Sequence, residues 1–406
     1  MKVGLVTPYF PDNKTINSGI ANHFYALTEA LTNLGNEVVI IHIRPRYEYE
    51  HDLFEKQKIN NNTTVLTYKA ILPKWVMTLF KHKWSFIDFL LKLRCIFIAA
   101  DKLRHIQKEY KLDVIETSSY FSLCYLYLFT RPKVPVVTRV STTFLQMMDN
   151  YYPFKSRLLK LIGLLEILMI KKSKNLITHA HNHAQQLDHL YQISAKEFQI
   201  IPHGISLPLE NNLFLETNSP VKILYVGRFE YRKGTDVLLQ AIPLVIGKYS
   251  KVNFELIGMD PEREYENKFR HENNEDINKK VVFSGTLNNT KTHKAYANCD
   301  IFVAPSRYES FGLIYIEAMS HGKPVIGCKV GGVPEIIEDN FNGLFSEAGN
   351  PASLAEKITH LIANKTLMKA MGANAKKTVK DRFSKEILVL NSIAYYKNVI
   401  LNNGHI

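Results

Sequence analysis

The chain has 406 residues, 46% of them hydrophobic, which is more than one core ordinarily organises and enough for two. Residues 1–203 hold 26 Lys and Arg against 16 Asp and Glu, and the remainder 25 against 22, so the basic field belongs to the first half. Nucleic acid, anionic lipid or a phosphorylated substrate would suit such a field, and the absence of an RRM, KH or zinc-finger pattern argues against nucleic acid.

The opening MKVGLVTPYF is too short for a signal-peptide core and reads as a buried strand over 2–7. A second strand is expected at 37–43 (EVVIIHI). Between them Ile20, Phe24, Leu27, Leu31 and Leu34 form one apolar helix stripe that ends at Gly35, a βαβ opening. The alternation continues with strands at DVIET (113–117), VPVVTRV (134–140) and NLITHA (175–180), with Pro135 suited to an edge or entry position. The loop-like IPHGISLPLENNLFLETNSPVK follows, an expected interdomain linker that puts the boundary near residue 205. A second series begins at VKILYVGRF (221–229). Helix 235–247, strands VNFELIG and KVVFSG, helix 290–298, strand DIFVAPS, helix 311–320 and strand KPVIGC come after it. The expectation is an α/β protein of two Rossmann-like domains, 1–205 and 206–384, with a helix over about 385–406 that could pack back on the first. The apolar runs FLLKLRCIFIAA and LIGLLEILMI are interrupted by charge short of the ~20 residues of a membrane span. Cys95, Cys124, Cys299 and Cys328 lie far apart without a CxxC pair, which fits a reducing, cytoplasmic setting.

Three segments carry chemistry. In VGRFEYRKGTDVLLQAI (226–242) a strand ends beside Arg228 and Lys233, and Gly234 precedes a helix; two cations at a helix start favour a polyanion, although a solvated basic loop looks the same. In PSRYESFGLIYIEAMSHGKPVIG (305–327) Glu309 sits at a turn and Glu317 two turns into a helix. Carboxylates accept from paired hydroxyls, and Gly312 would let a ligand approach the backbone, but an E-x7-E pair also arises by chance. GGVPEII (331–337) reads as a tight turn with Glu335 opening the next helix.

In this order and spacing, with DNFNGLF after them, the segments resemble the retaining glycosyltransferases of family four, which have the GT-B fold of two Rossmann-like domains and an interdomain cleft. The N-terminal half resembles the family more loosely, through MKVGLVTPYFP, the loop with Gly19, and VPVVTRV. The resemblance implies a nucleotide-diphosphate-sugar donor and a glycan, lipid-linked or other acceptor, with 1–205 as the acceptor-side domain and 206–384 as the nucleotide-sugar-binding one. It assigns the donor diphosphate to Arg228 and Lys233, with Phe311, Gly312 and Leu313 offering backbone amides. Glu317 would hold the ribose hydroxyls and Glu309 the transferred sugar; Gly19 would leave room for phosphates, and Gly285 and Thr286 would border the base. In one respect the chain departs from the family: many members follow the strand corresponding to VVTRV with a histidine that touches the sugar, whereas here Ser141 follows Val140 and Arg139 or a nearby hydroxyl would have to serve.

Metal-dependent transferases usually hold their cation with an Asp-x-Asp pair, and none occurs here, so no metal or other cofactor is expected. The run ITHAHNHAQQLDHLY concentrates His179, His181, His183 and His189; it reads as a strand passing into a helix capped by Asn182, or as alternate metal ligands on a strand. His203 reads as a turn residue. Three functions compete: glycosyl transfer, isomerisation of a nucleotide sugar on a GT-B fold, and non-catalytic sugar-nucleotide binding. Finally, residues 72–104, with Trp75 and Trp84 near Lys74, Lys81 and Lys83, and residues 151–175, apolar between basic ends, read either as core helices or as a peripheral docking face for the anionic inner membrane surface.

Overall fold

The computed structural model of the chain describes residues 1–11, 19–48, 51–151, 157–208 and 220–403. Of the expected linker, residues 209–219 lie outside the described residues, as do residues 152–156 of the second basic segment. The chain divides into two compact units, residues 1–204 with 385–406, and residues 205–384.

The first unit is built on eight strands: β1 (Lys2–Thr7), β2 (Glu37–Pro45), β3 (Phe54–Asn60), β4 (Thr63–Ala70), β5 (Val114–Ser118), β6 (Val136–Arg139), β7 (Asn175–Thr178) and β8 (Phe198–Ile200). Their order is β3-β4-β2-β1-β5-β6-β7-β8, parallel except for the β3–β4 hairpin. Central strands of such a sheet are covered on both faces and so read as unbroken apolar runs. Leu5 of β1 packs on Phe24, Leu27 and Leu31 of the helix Gly19–Asn33, while Leu34, the last member of the expected stripe, lies beyond the helix end and is exposed. On the other face Cys95, Ala99 and Leu103 of the helix Trp84–Glu109 meet Val6, Ile41 and Ile115. The C-terminal helix Lys385–Asn403 joins the first core through Leu388, Val389, Tyr396 and Val399.

The second unit has β9 (Val221–Val226), β10 (Val252–Ile257), β11 (Val281–Gly285), β12 (Ile301–Val303), β13 (Val325–Cys328) and β14 (Gly343–Ser346), all parallel, in the order β11-β10-β9-β12-β13-β14. Helix Thr235–Lys248 returns from β9 and buries Val237, Leu238, Ala241, Ile242 and Val245. Where the chain enters and leaves this unit, the Ile205 amide donates to the Phe383 carbonyl at 2.9 Å and Ile205 pairs with Ser384. Each sheet starts at its middle and turns back on itself beside its first strand, at β1/β5 and at β9/β12. A sheet of this kind opens a ligand crevice at the carboxyl ends of those strands.

Candidate active site

In the second unit the crevice lies between the loops that leave β9 and β12, and the first two chemistry-bearing segments interlock there. Gly234 (φ +67°) approaches the Pro305 carbonyl so closely that an added Cβ would stand 1.9 Å from its oxygen. The Arg307 amide donates to the Arg232 carbonyl at 2.8 Å. Its guanidinium grips Asp236 through two bonds of 2.7 Å and lies 3.7 Å from the centre of the Tyr231 ring. A bidentate, ring-stacked arginine is a rigid clamp.

This clamp brings Lys233 and Glu309 into contact although 76 residues separate them. The Lys233 Nζ donates to Glu309 Oε1 at 2.5 Å, and the Ser306 hydroxyl donates to the same oxygen at 3.1 Å. Both charged side chains are largely out of water, 14% and 9% exposed. Burial pushes the Lys233 ammonium below the ordinary lysine range, and the Glu309 carboxylate works against that shift. The third segment closes over the pair: the Gly332 amide donates to the Glu309 carbonyl at 3.0 Å, and Gly331 (φ +51°) leaves no room for a Cβ, which would stand 1.7 Å from that oxygen. Glu335 ends a short 3-10 turn, Val333–Glu335, rather than opening a longer helix.

Arg228 is half-exposed and reaches Glu230 Oε2 at 3.2 Å; Glu230 also takes Arg232 at 2.6 Å. Glu230, Arg232, Ser306, Arg307 and Asp236 were not singled out in the sequence. The alternation of Arg228, Glu230 and Arg232 is a local signal for Glu230 and Arg232 alone.

The helix after this turn starts at Leu313, not at 311, so Glu317 sits about one turn inside it rather than two. Gly312 (φ +111°) caps it, and the place of a Cβ there is filled by the Tyr315 ring at 2.7 Å, so this glycine serves the packing of the turn itself. Phe311 is buried edge-on against Phe383. Tyr296 donates to Glu317 Oε2 at 2.9 Å, and burial nevertheless pushes the Glu317 carboxyl up to about 7. Thr286 is exposed just past β11, beyond Gly285. Gly19 belongs to the first unit, where it is the exposed first residue of its helix.

Arg139 is not available to a sugar. It is buried, donating from Nε to Glu116 Oε1 at 2.7 Å and from Nη1 to the Ile201 carbonyl at 3.2 Å. Tyr396 of the C-terminal helix donates to the other Glu116 oxygen. Ser141, two residues past the end of β6, is half-buried. The histidines divide: His181 and His189 face solvent on the helix His181–Tyr191, whose N-cap is Ala180 rather than Asn182. His179 and His183 point inward and stack, His179 also stacks on His203, and His203 meets His23. His203 is therefore a core residue. Among the described residues no group of three or more His, Cys, Asp or Glu is placed to hold a metal ion.

Two family models match consecutive stretches of the chain, glycosyltransferase family 4 over residues 17–208 and glycosyl transferases group 1 over residues 213–378. The chain is a family-four glycosyltransferase. An uncharacterized glycosyltransferase of Methanocaldococcus jannaschii is 25% identical over 411 residues, which cover 98% of each chain. Among solved structures, a sucrose-phosphate synthase from Thermosynechococcus elongatus superimposes with a TM-score of 0.74 at 19% identity, covering 99% of both chains. HepE of Anabaena, solved with UDP, does so with a TM-score of 0.69 at 15% identity over 98% of this chain and all of its own. These likenesses identify the GT-B fold, two Rossmann-like units in one transferase.

Proposed function

We propose that this glycosyltransferase moves a sugar from a nucleotide-diphosphate donor to a glycan or lipid-linked acceptor, with retention of anomeric configuration and without a metal. The observation that carries the reading is the buried Lys233–Glu309 contact at the β9/β12 crevice. In the transfer the bond from the anomeric carbon to the diphosphate breaks, a bond to the acceptor oxygen forms, and the acceptor hydroxyl gives up its proton. Charge therefore grows on the leaving phosphate, and fixed cations in a site poor in water stabilise it more than water could. Lys233 and Arg228 supply those cations in place of a metal. The contacts of Lys233 and Ser306 both fall on Glu309 Oε1, which leaves Oε2 to accept from hydroxyls of the transferred sugar. Glu317 accepts from the ribose, and the HepE complex with UDP supports a nucleotide donor on this fold.

Incubation with donor and acceptor panels tests the proposal. A glycosylated acceptor carrying the donor's anomeric configuration by NMR, formed at full rate in excess EDTA, is the expected product. A rearranged free donor would mean isomerisation, and activity lost in EDTA and restored by manganese or magnesium would refute the metal-free part.

A second observation supports docking of the first unit on an anionic membrane surface. No helix among the described residues is long and apolar enough to cross a membrane, yet Trp75, Leu79 and Trp84 are each more than 60% exposed beside Lys74, Lys81 and Lys83. The helix Arg157–Lys172 adds exposed Leu161, Leu164 and Leu168. Lys92, in contrast, is buried and contributes nothing to that face. Co-sedimentation with anionic vesicles, weakened by salt and by Lys81→Glu with Lys83→Glu, is the expected result; protein that stays in the supernatant at low salt excludes this docking.

A further inference from the structure

In the second unit the Glu317 carboxylate has a single hydrogen-bond donor among the described residues, the phenol of Tyr296. Tyr296 lies on the helix Asn289–Asn298, fully buried, and reaches Glu317 Oε2 at 2.9 Å. Its ring is held on three sides. It lies parallel to His321 at 6.1 Å between centroids, tilted on Phe302 at 5.6 Å and edge-on to His293 at 6.2 Å. His293 in turn meets His321 at 3.1 Å, which ties this helix to the end of the Glu317 helix, Leu313–Ser320. A phenylalanine would fill the same space, so packing alone gives no reason for the hydroxyl. A buried hydroxyl is costly unless it is bonded, and this one is aimed at a carboxylate.

Glu317 differs in this from Glu309, which Lys233 and Ser306 both hold, one of them with a full charge. No cation answers Glu317, which is half-buried, and its Oε1 has no partner among the described residues. Of the titratable groups nearby, His293 and His321 face the Tyr296 ring, Cys299 lies just past its helix, and Lys323 and Lys376 act on His321; Tyr296 alone acts on the Glu317 charge. Burial and the neighbouring carboxylate hold the phenol well above the ordinary tyrosine range, so it stays a donor wherever Glu317 titrates. Hydrogen bonds to an ionised acceptor are short and strong. This one fixes the rotation of the carboxylate and favours its ionised form, and it leaves Oε1 with both of its acceptor positions.

We propose that Tyr296 is a positioning residue for the donor: it holds Glu317 by Oε2, presents Oε1 to the ribose hydroxyls, and so makes the site select ribose over deoxyribose. The inference rests on the reading of Glu317 as the acceptor of those hydroxyls, and adds what orients the acid and which sugar it rejects. A site built to bond a hydroxyl discriminates against the analogue that lacks it, because its own polar group is then left unpaired.

Calorimetry on the full chain with UDP, ADP and GDP and their 2′-deoxy counterparts tests it. The parent should bind at least one ribonucleotide about ten-fold or more tightly than its deoxy counterpart. Tyr296→Phe should weaken that ribonucleotide about ten-fold at pH 7, as loss of one hydrogen bond to a charged group does, narrow the ribose preference, and move the midpoint of the affinity–pH profile upward. A residue that only packs the core would change the melting temperature and neither the preference nor the midpoint. In a Glu317→Ala background the same change should alter affinity less than about two-fold. Replacement of Tyr296 by 3-fluorotyrosine, which keeps the ring and hydroxyl but is the more acidic donor, should move the midpoint downward, and it provides the test if Tyr296→Phe fails to fold. A parent indifferent to the 2′-hydroxyl, a preference and midpoint that these variants leave unchanged, or an effect of Tyr296→Phe that persists without Glu317 would each overturn the inference. Its failure is separable from that of the donor reading. A parent that binds none of the diphosphates, or Glu317→Ala that binds like the parent, removes the donor assignment and this inference with it, whereas a weakened Glu317→Ala beside an unaffected Tyr296→Phe removes the inference alone.

Discussion

Each unit places a carboxylate beside a cation near its first strand, and the two pairs are built for different ends. Glu116 and Arg139, on neighbouring strands β5 and β6, are 0% and 3% exposed and are sealed by Tyr396 and the histidines. Lys233 and Glu309 stand on loops past the ends of β9 and β12 and keep some access to solvent. The first pair must satisfy itself inside the core, where desolvation makes an isolated charge costly. On the proposed reading the second waits, oriented, for a ligand's charge. A carboxylate–cation pair within the sheet is shut in the core, whereas one beyond the strand ends keeps a side toward solvent.

The contrast can be broken most forcefully at Arg139. Arg139→Met strands the Glu116 carboxylate in the core and should cost about 3–5 kcal/mol of unfolding free energy in denaturant titration, as removal of one partner of a buried pair does. Lys233→Met should cost far less. Equal losses would erase the distinction between the two pairs.

Acid attacks the first unit gradually. Burial holds His23 at about 4 and His183 at about 3, and pushes His203 well below the ordinary histidine range. Between pH 6.5 and about 4 the unfolded chain therefore takes up protons that the native chain refuses, and stability falls as pH falls. Glu166, raised to about 7 by burial, opposes this between pH 7 and 4.5, one group against three. Denaturation midpoints should drop from pH 6.5 to 5, and Glu166→Gln should steepen the drop. A midpoint that holds or rises over that interval contradicts the buried-histidine account.

At the open pair the effect is on rate. Lys233→Ala and Arg228→Ala should each lower kcat/KM by about 10²-fold or more, and Glu309→Gln should chiefly lower kcat, with melting temperatures little changed. Steady-state kinetics within a few-fold of the parent would move the active site elsewhere.

The smallest effect sharpens the picture at Glu317. A ribose hydroxyl is best accepted by the ionised carboxylate, which at about 7 is incompletely formed at neutral pH. Donor affinity should therefore rise about ten-fold from pH 6 to pH 8 with release of a proton, and Glu317→Gln should flatten the profile. Calorimetry in buffers of different ionisation enthalpy reads both, and an affinity independent of pH removes Glu317 from donor recognition.

Much of the fold was legible because buried parallel strands and amphipathic helices write their periods plainly, as in KVGLVT and the Phe24–Leu27–Leu31 stripe. The β3–β4 hairpin was not. Its edge strand FEKQKIN is exposed along its whole length and has no apolar alternation to betray it. Strand β14, Gly343–Ser346, was not read as a strand either. The site was legible as residue types near glycines, but the Lys233–Glu309 contact depends on strand order, which sets β12 beside β9. No local pattern encodes that neighbour. The same holds for the histidines, where the helix cap at Ala180 sends His179 and His183 inward and His181 outward. Arg139 gave no sign that its partner was Glu116, 23 residues earlier.

Tyr396 reaches Glu116 across 280 residues, with the whole second unit between them in sequence. A ribosome will therefore have released every strand of the second unit before it delivers the phenol that completes the first. Domains commonly mature in the order of their synthesis; here the N-terminal unit must hold a buried carboxylate half-satisfied until the last helix emerges, and the unit begun second is the one whose segments are complete first.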